Sequence, residues 1–94
     1  MKHLIIVKSA ACVEDVHAFA LAAEKHFQGV LSIPGIHGVE VIEGIRECEN
    51  RYHFIIRIDM DADALPAYNQ SQCHHDWKEK YGPMIEKKAI FDYE

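Results

Sequence analysis

The opening stretch, Lys2-His3-Leu4-Ile5-Ile6-Val7-Lys8, puts His3, Ile5 and Val7 on one side of an extended backbone and Leu4 and Ile6 on the other. Both sides carry apolar residues, so the pattern predicts a strand over 2–8 that is buried on both faces. Between 13 and 31 the period changes. Val16, Phe19, Ala20, Ala23, Phe27, Val30 and Leu31 recur at helical spacing, and Glu14 and Asp15 suit the positive end of a helix dipole. Pro34, Gly35 and Gly38 punctuate a loop over 32–38. Alternation returns at 39–45 as a second strand, followed by a polar connection at 46–50. Residues 51–60 form the clearest strand, with Tyr52, Phe54, Ile56, Ile58 and Met60 on one face and His53, Ile55, Arg57 and Asp59 on the other. Asp61 is a candidate cap for a short second helix running to about residue 70, in which Pro66 restricts regular geometry to the residues after it. A third helical stretch covers 72–81 and stops at Gly82-Pro83, and 87–94 reads as a final strand.

The resulting order, β-α-β-β-α-α-β, is that of an α+β ferredoxin-like sandwich. The whole chain, 1–94, fits one domain with one modest core. Two or three helices cover only one face of a four-stranded sheet. The other face keeps its apolar residues, notably Leu4 and Ile6, and nothing in the chain is left to cover it. A second copy, meeting the first sheet face to sheet face, is the natural partner.

Composition narrows the range of partners. The formal net charge is −5, with the acidic excess spread along the chain, whereas a nucleic-acid binder needs a basic stripe. No apolar run approaches the ~20 residues that span a bilayer. The N-terminal apolar stretch is too short for a signal peptide. The expectation is a cytoplasmic protein with no membrane or nucleic-acid partner. Cys12, Cys48 and Cys73 are an odd set without a Cys-x-x-Cys pair, which points to reduced thiols rather than a disulfide framework or zinc knuckle. There is no glycine-rich phosphate loop, so no cofactor is expected.

The densest run of chemically capable side chains is "QSQCHHDWKEKYG", from Gln70 to Gly82. Consecutive helix residues point about 100° apart. Cys73, His74, His75 and Asp76 therefore do not converge on one ion, and no metal site is expected. Cys73 and Trp77 form an i,i+4 pair on the packed face, with Tyr81 one turn further on. His75 and Glu79 form such a pair on the wet face, which leaves His74 at the edge of the core. His3 is more unusual, because the ring nitrogens of a histidine in an apolar strand need partners. The pattern fits a strand-end histidine bonded to a carbonyl or water as well as a functional one. His53, on a face with Arg57 and Asp59, suits a polar network between subunits.

Four segments, "KHLIIVK", "IPGIHGVEV", "AYNQSQCHHDW" and "IFDYE", resemble in order and along the whole chain the stress-responsive α/β-barrel domain family. The resemblance implies that two ferredoxin-like chains turn their sheets inward and close one dimeric α+β barrel. Polyketide cyclases of that family use a histidine on the first strand together with a tyrosine and a histidine six residues apart on the late helices. The matching positions are His3, Tyr68 and His74, for which the resemblance implies catalytic roles. A pocket tyrosine of the first helix is replaced by His26. Where many relatives carry His-Pro-x-His, this chain reads Ser71-Gln72-Cys73-His74, so only the second histidine is kept. Ile5 and Val7, on the His3 side of strand one, and His26, Phe27 and Trp77 are candidates to line a ligand pocket, with Tyr68 at its rim.

These residues suit cofactor-free proton abstraction next to a carbonyl in a small apolar or aromatic compound, as a cyclase or lyase performs it. The two histidines divide base and acid roles, and the tyrosine holds the developing enolate. Two other classes share the fold: a non-catalytic ligand-binding or stress-associated protein, and a small cofactor-free monooxygenase of the antibiotic-biosynthesis type. A cavity lined by His3, Tyr68 and His74 and closed to bulk water favours the first class, a cavity filled by side chains the second, and oxygen uptake with a hydroquinone-like substrate the third.

Overall fold

The computed structural model describes residues 1–46 and 48–94; Glu47, within the polar connection expected at 46–50, lies outside the described residues. Strands β1 (Lys2–Ser9), β2 (Ile36–Glu43), β3 (Phe54–Met60) and β4 (Ile85–Tyr93) form one antiparallel sheet in the order β2-β3-β1-β4. Helix α1 (Val16–Phe27) follows β1 and tightens into a 3-10 turn at Gln28–Ser32. After β3 come a 3-10 turn (Ala62–Ala64), α2 (Leu65–Asn69), α3 (Gln72–Asp76) and a π-helical turn (Trp77–Tyr81). This is the ferredoxin-like α+β sandwich that the order of elements predicted.

Alternation decides which face the helices cover. His3, Ile5 and Val7 of β1 and Phe54, Ile56, Ile58 and Met60 of β3 are buried on one face, against Phe19, Ala20, Ala23 and Phe27 of α1. Asp15 caps α1 by accepting a hydrogen bond from the Ala18 amide at 2.9 Å, which starts the helix three residues later than the apolar period suggested. Its regular part also ends early, before Gly29, and Leu31, expected in the core, is exposed.

The opposite face of the sheet has no helix on it. Register places Leu4 opposite Arg57 and Phe91, and Ile6 opposite Ile55 and Ala89. Ile42 lies beside Ile55, and Tyr93 beside Lys2. Phe91 is 57% exposed, while Ile42 and Tyr93 are also open to solvent. Charges cross the same face as Arg57–Glu40 and Lys2–Asp59 ion pairs.

Two strand boundaries differ from expectation for one reason. β2 begins at Ile36 rather than 39, because its pairing with β3 shifts between Ile36 and Gly38. His37 is the extra residue of that bulge, so Ile36 stays on the buried face with Val39 and Val41 although the parity changes. β4 begins at Ile85 rather than 87, across a similar shift opposite Lys8 and Ser9. Residues 51–53 lie outside β3, and Tyr52 is exposed. Asp61 does not cap with its side chain; its carboxylate meets His37 at 3.0 Å instead.

Trp77 is 1% exposed, with its ring 5.0 Å from that of Phe27 and 5.2 Å from that of Tyr81, centroid to centroid. Trp77→Ala is expected to destabilise the fold by about 3–5 kcal/mol, the cost of removing a large buried aromatic. Urea denaturation followed by circular dichroism measures it, and an unchanged midpoint would contradict this packing.

Candidate functional site

The antiparallel pairing of β1 with β4 sets His3 opposite Asp92 on the helix-covered side of the sheet. The His3 ring is buried, and its Nδ1 lies 2.5 Å from Asp92 Oδ1. A carboxylate accepts, so Nδ1 carries the proton and Nε2 is the free basic nitrogen of the neutral ring. The partner is neither the carbonyl nor the water that a strand-end histidine would take but a carboxylate on the last strand.

Tyr68 and His74 are brought together by Ser71. The Ser71 hydroxyl donates to the Tyr68 carbonyl at 2.7 Å and accepts from the His74 amide at 3.2 Å, capping α3. This turn brings the two rings together at a tilt of 59°, with centroids 4.9 Å apart. On its other side the Tyr68 ring meets His3 edge-on at 5.4 Å. The tyrosine thus stands between the two histidines. It is not at a rim: at 1% exposure it is wholly buried.

The three side chains line one cavity of about 340 Å³ between the sheet and the late helices. The Tyr68 hydroxyl is buried there without a hydrogen-bond partner. A buried hydroxyl left unpaired loses on the order of 1–3 kcal/mol of solvation. Burial, and then the neighbouring Cys73, push its ionisation well above the usual phenol range. It therefore remains a hydrogen-bond donor at neutral pH. His74 Nδ1 donates to the Asn69 carbonyl at 3.1 Å, which leaves its Nε2 unprotonated in the neutral ring. Burial, and then the Lys78 charge, hold the His74 pKa below its ordinary value of 6.5. The site therefore combines one neutral donor with two imidazoles whose Nδ1 atoms are already committed.

Of the other candidate lining residues, Ile5 and Trp77 border the cavity. Val7 and Phe27 do not; both are completely buried in the hydrophobic core, Val7 further along β1 and Phe27 at the end of α1. His26 does not reach it either. Its Nε2 donates to the Cys73 carbonyl at 2.8 Å, and its ring faces a separate shallow depression beside Asp76 and Glu79. His53 Nδ1 accepts from the Ser9 amide at 2.8 Å, within the chain. Among the described residues no group of three or more His, Cys, Asp and Glu side chains converges on a common point. No helix described is long and apolar enough to cross a membrane.

Three charged cavity residues escaped sequence reasoning, Asp92, Lys78 and Lys88, as did the uncharged Leu65, Asn69 and Ile90. Asp92 was legible once β1 and β4 are paired antiparallel, since His3 lies near the start of one and Asp92 near the end of the other. Lys78 follows His74 by four residues, so a helix brings both to one side. Lys88 had no local signal.

No protein-family model and no curated protein sequence matches the chain. Solved structures do. A dimeric ferredoxin-like protein of unknown function from Bacteroides fragilis has a TM-score of 0.78 at 18% identity, over 99% of this chain and 93% of the other. A dabb family protein with a ferredoxin-like fold from Mesorhizobium loti has a TM-score of 0.73 at 21% identity, over 99% and 93%. The fold is theirs. A hydroxynitrile lyase from Passiflora edulis shares it too, with a TM-score of 0.72 at 9% identity, over 98% of this chain and 89% of the other.

The His74 environment is measurable directly. In an NMR titration its imidazole should show a midpoint below 6.5. Lys78→Met, which removes a like charge, should move that midpoint upward. A wild-type midpoint at or above 6.5, or no response to Lys78→Met, would contradict the described surroundings.

Proposed function

We propose that the chain is a stress-responsive α/β-barrel protein that works as a homodimer, and that its cavity performs cofactor-free acid/base chemistry beside the carbonyl of a small apolar or aromatic compound. The observation that carries this reading is one cavity lined by His3, Tyr68 and His74, in which the Tyr68 ring meets both imidazoles and its hydroxyl is buried without a partner. A hydroxyl in that position is supplied with a partner when a ligand oxygen enters. The kinship of fold with a dabb family protein supports the family, and that with a lyase supports the chemistry.

In the mechanism, the Tyr68 hydroxyl donates to the substrate carbonyl oxygen and stabilises the negative charge that develops on it as the α-carbon loses its proton. His3 Nε2 takes that proton. Asp92, held on Nδ1, fixes the ring tautomer and compensates the imidazolium charge. The proton then returns to the oxygen of the electrophilic carbonyl when the new carbon–carbon bond closes, or to the leaving fragment when a bond breaks. His74 Nε2 accepts a hydrogen bond from a substrate or enol hydroxyl.

The homodimer rests on the uncovered sheet face, where Leu4, Ile6, Ile55 and Phe91 form a continuous apolar surface flanked by charges. Proteins of this fold described as dimeric support a second copy as its cover. Such an obligate interface buries roughly 2,000 Å² or more. Light scattering at micromolar concentration should give a dimer for the wild type and a monomer for Phe91→Asp; a wild-type monomer would contradict the assembly.

Exchange of α-protons for deuterium, followed by NMR with acetophenone in D₂O, tests the chemistry without requiring the natural substrate. The protein should accelerate exchange, and His3→Ala should lower that acceleration by about 10²–10⁴-fold with the fold retained. Tyr68→Phe should lower it by about 10²–10³-fold. Exchange at the buffer rate, or unaffected by both substitutions, would leave the cavity without the proposed chemistry.

A further inference from the structure

The cavity carries positive charge that acid/base chemistry on a neutral ketone does not require. Lys78 and Lys88 both line it, one from the helical side and one from β4, where Lys88 stands opposite Val7. They also border an adjoining groove of about 300 Å³, so they mark the boundary between the two spaces. Neither takes part in an ion pair among the described residues. The carboxylates close by are already engaged: Asp92 with His3, and Glu86 of the adjoining groove with Lys8 at 3.5 Å. Two unpaired ammonium groups therefore converge on one cavity in a chain whose net charge is −5. Both lysines also contribute, after burial, to holding the His74 pKa down, which places the ring within reach of their fields.

The unpaired hydroxyl of Tyr68 is the second observation, independent of the lysines, that points to a ligand here. The two features lie at different depths, with Tyr68 buried and the lysines exposed. A molecule that satisfies both must present a neutral acceptor at its inner end and a negative charge at its outer end. We propose that the cavity selects a carbonyl compound that also carries an oxyanion group, a carboxylate or a phosphate, which Lys78 and Lys88 hold at the mouth while the carbonyl oxygen meets Tyr68. The inference rests on the carbonyl-binding function proposed above and adds the charge of the substrate to it. The cavity volume of about 340 Å³ suits a small ligand of this kind. An ammonium group offers a point charge rather than a planar fork, which is why both oxyanions fit.

Calorimetric titration of the full chain with three compounds of one skeleton tests this: methyl 4-acetylbenzoate, which is neutral, 4-acetylbenzoate and 4-acetylphenyl phosphate. At least one anion should bind about tenfold more tightly than the ester, the difference that a single charge-assisted hydrogen bond supplies; the tighter of the two identifies the group. In the double variant Lys78→Met/Lys88→Met that preference should vanish while ester binding is unchanged. Both lysines are exposed, so the variant is expected to fold, and circular dichroism checks it. Tyr68→Phe should weaken all three ligands and keep the preference. Equal binding of the three compounds by wild type, with all weakened by Tyr68→Phe, overturns the oxyanion while leaving the carbonyl site standing. A preference that survives in the double variant also overturns it. Failure of all three to bind overturns the carbonyl site and the oxyanion together.

Discussion

The contact between His3 and Asp92 joins the first strand to the last, and the site depends on it. It exists because β1 and β4 pair antiparallel in one register. A slip of one residue would turn Asp92 to the uncovered face and leave a buried imidazole facing the aromatic side chain of Phe91 or Tyr93. The register is fixed by what it does to the rest of the sheet. The same pairing puts Ile5 beside Ile90 on the inner side and Leu4 beside Phe91 on the outer. The His3–Asp92 contact is thus set by hydrophobic alternation in two strands that lie at opposite ends of the chain.

The sheet separates two kinds of surface. Its covered face holds the core at the α1 end and, at the other end, a cavity that the short late helices bridge without filling. Regular helix runs for only five residues in α2 and five in α3 before the backbone widens into the π-helical turn. Short segments joined by a capped turn position Tyr68 and His74 from either side of Ser71. One long helix would not bring two residues six apart into ring contact. The uncovered face holds the apolar surface assigned to the homodimer. Stability of the single chain rests on the first face alone, so loss of Trp77 packing and loss of the dimer act on separate surfaces.

The strands and α1 were legible because they lie in the sheet and core, where burial enforces strict periods. What the periods missed was local. The bulge at His37 changes parity within β2 and hides three of its residues from an alternation count. The Asp15 cap truncates an apolar period that runs further than the helix does. Depth was the other blind spot. Val7 shares a strand face with His3 and Ile5, and Phe27 ends α1, but both are core residues that contribute packing. His26 sits on the right helix, and a single hydrogen bond to the Cys73 carbonyl turns its ring elsewhere. His3, Tyr68 and His74 came from a family resemblance and not from spacing; their convergence on one cavity is a matter of tertiary placement that no local pattern encodes. Asp92 stood in the last motif quoted, and strand pairing alone would have assigned it to His3.

The central claim is that the buried Tyr68 hydroxyl receives a ligand carbonyl between two histidines. The most direct measurement is the ¹³C resonance of a carbonyl-labelled acetyl compound bound to the protein. A carbonyl that accepts a hydrogen bond from a fixed phenol is polarised, so the resonance of the bound ligand should move downfield of its position in water. The same ligand bound to Tyr68→Phe should lose that displacement. A bound resonance at the aqueous position, or one that is identical in wild type and Tyr68→Phe, would contradict the account.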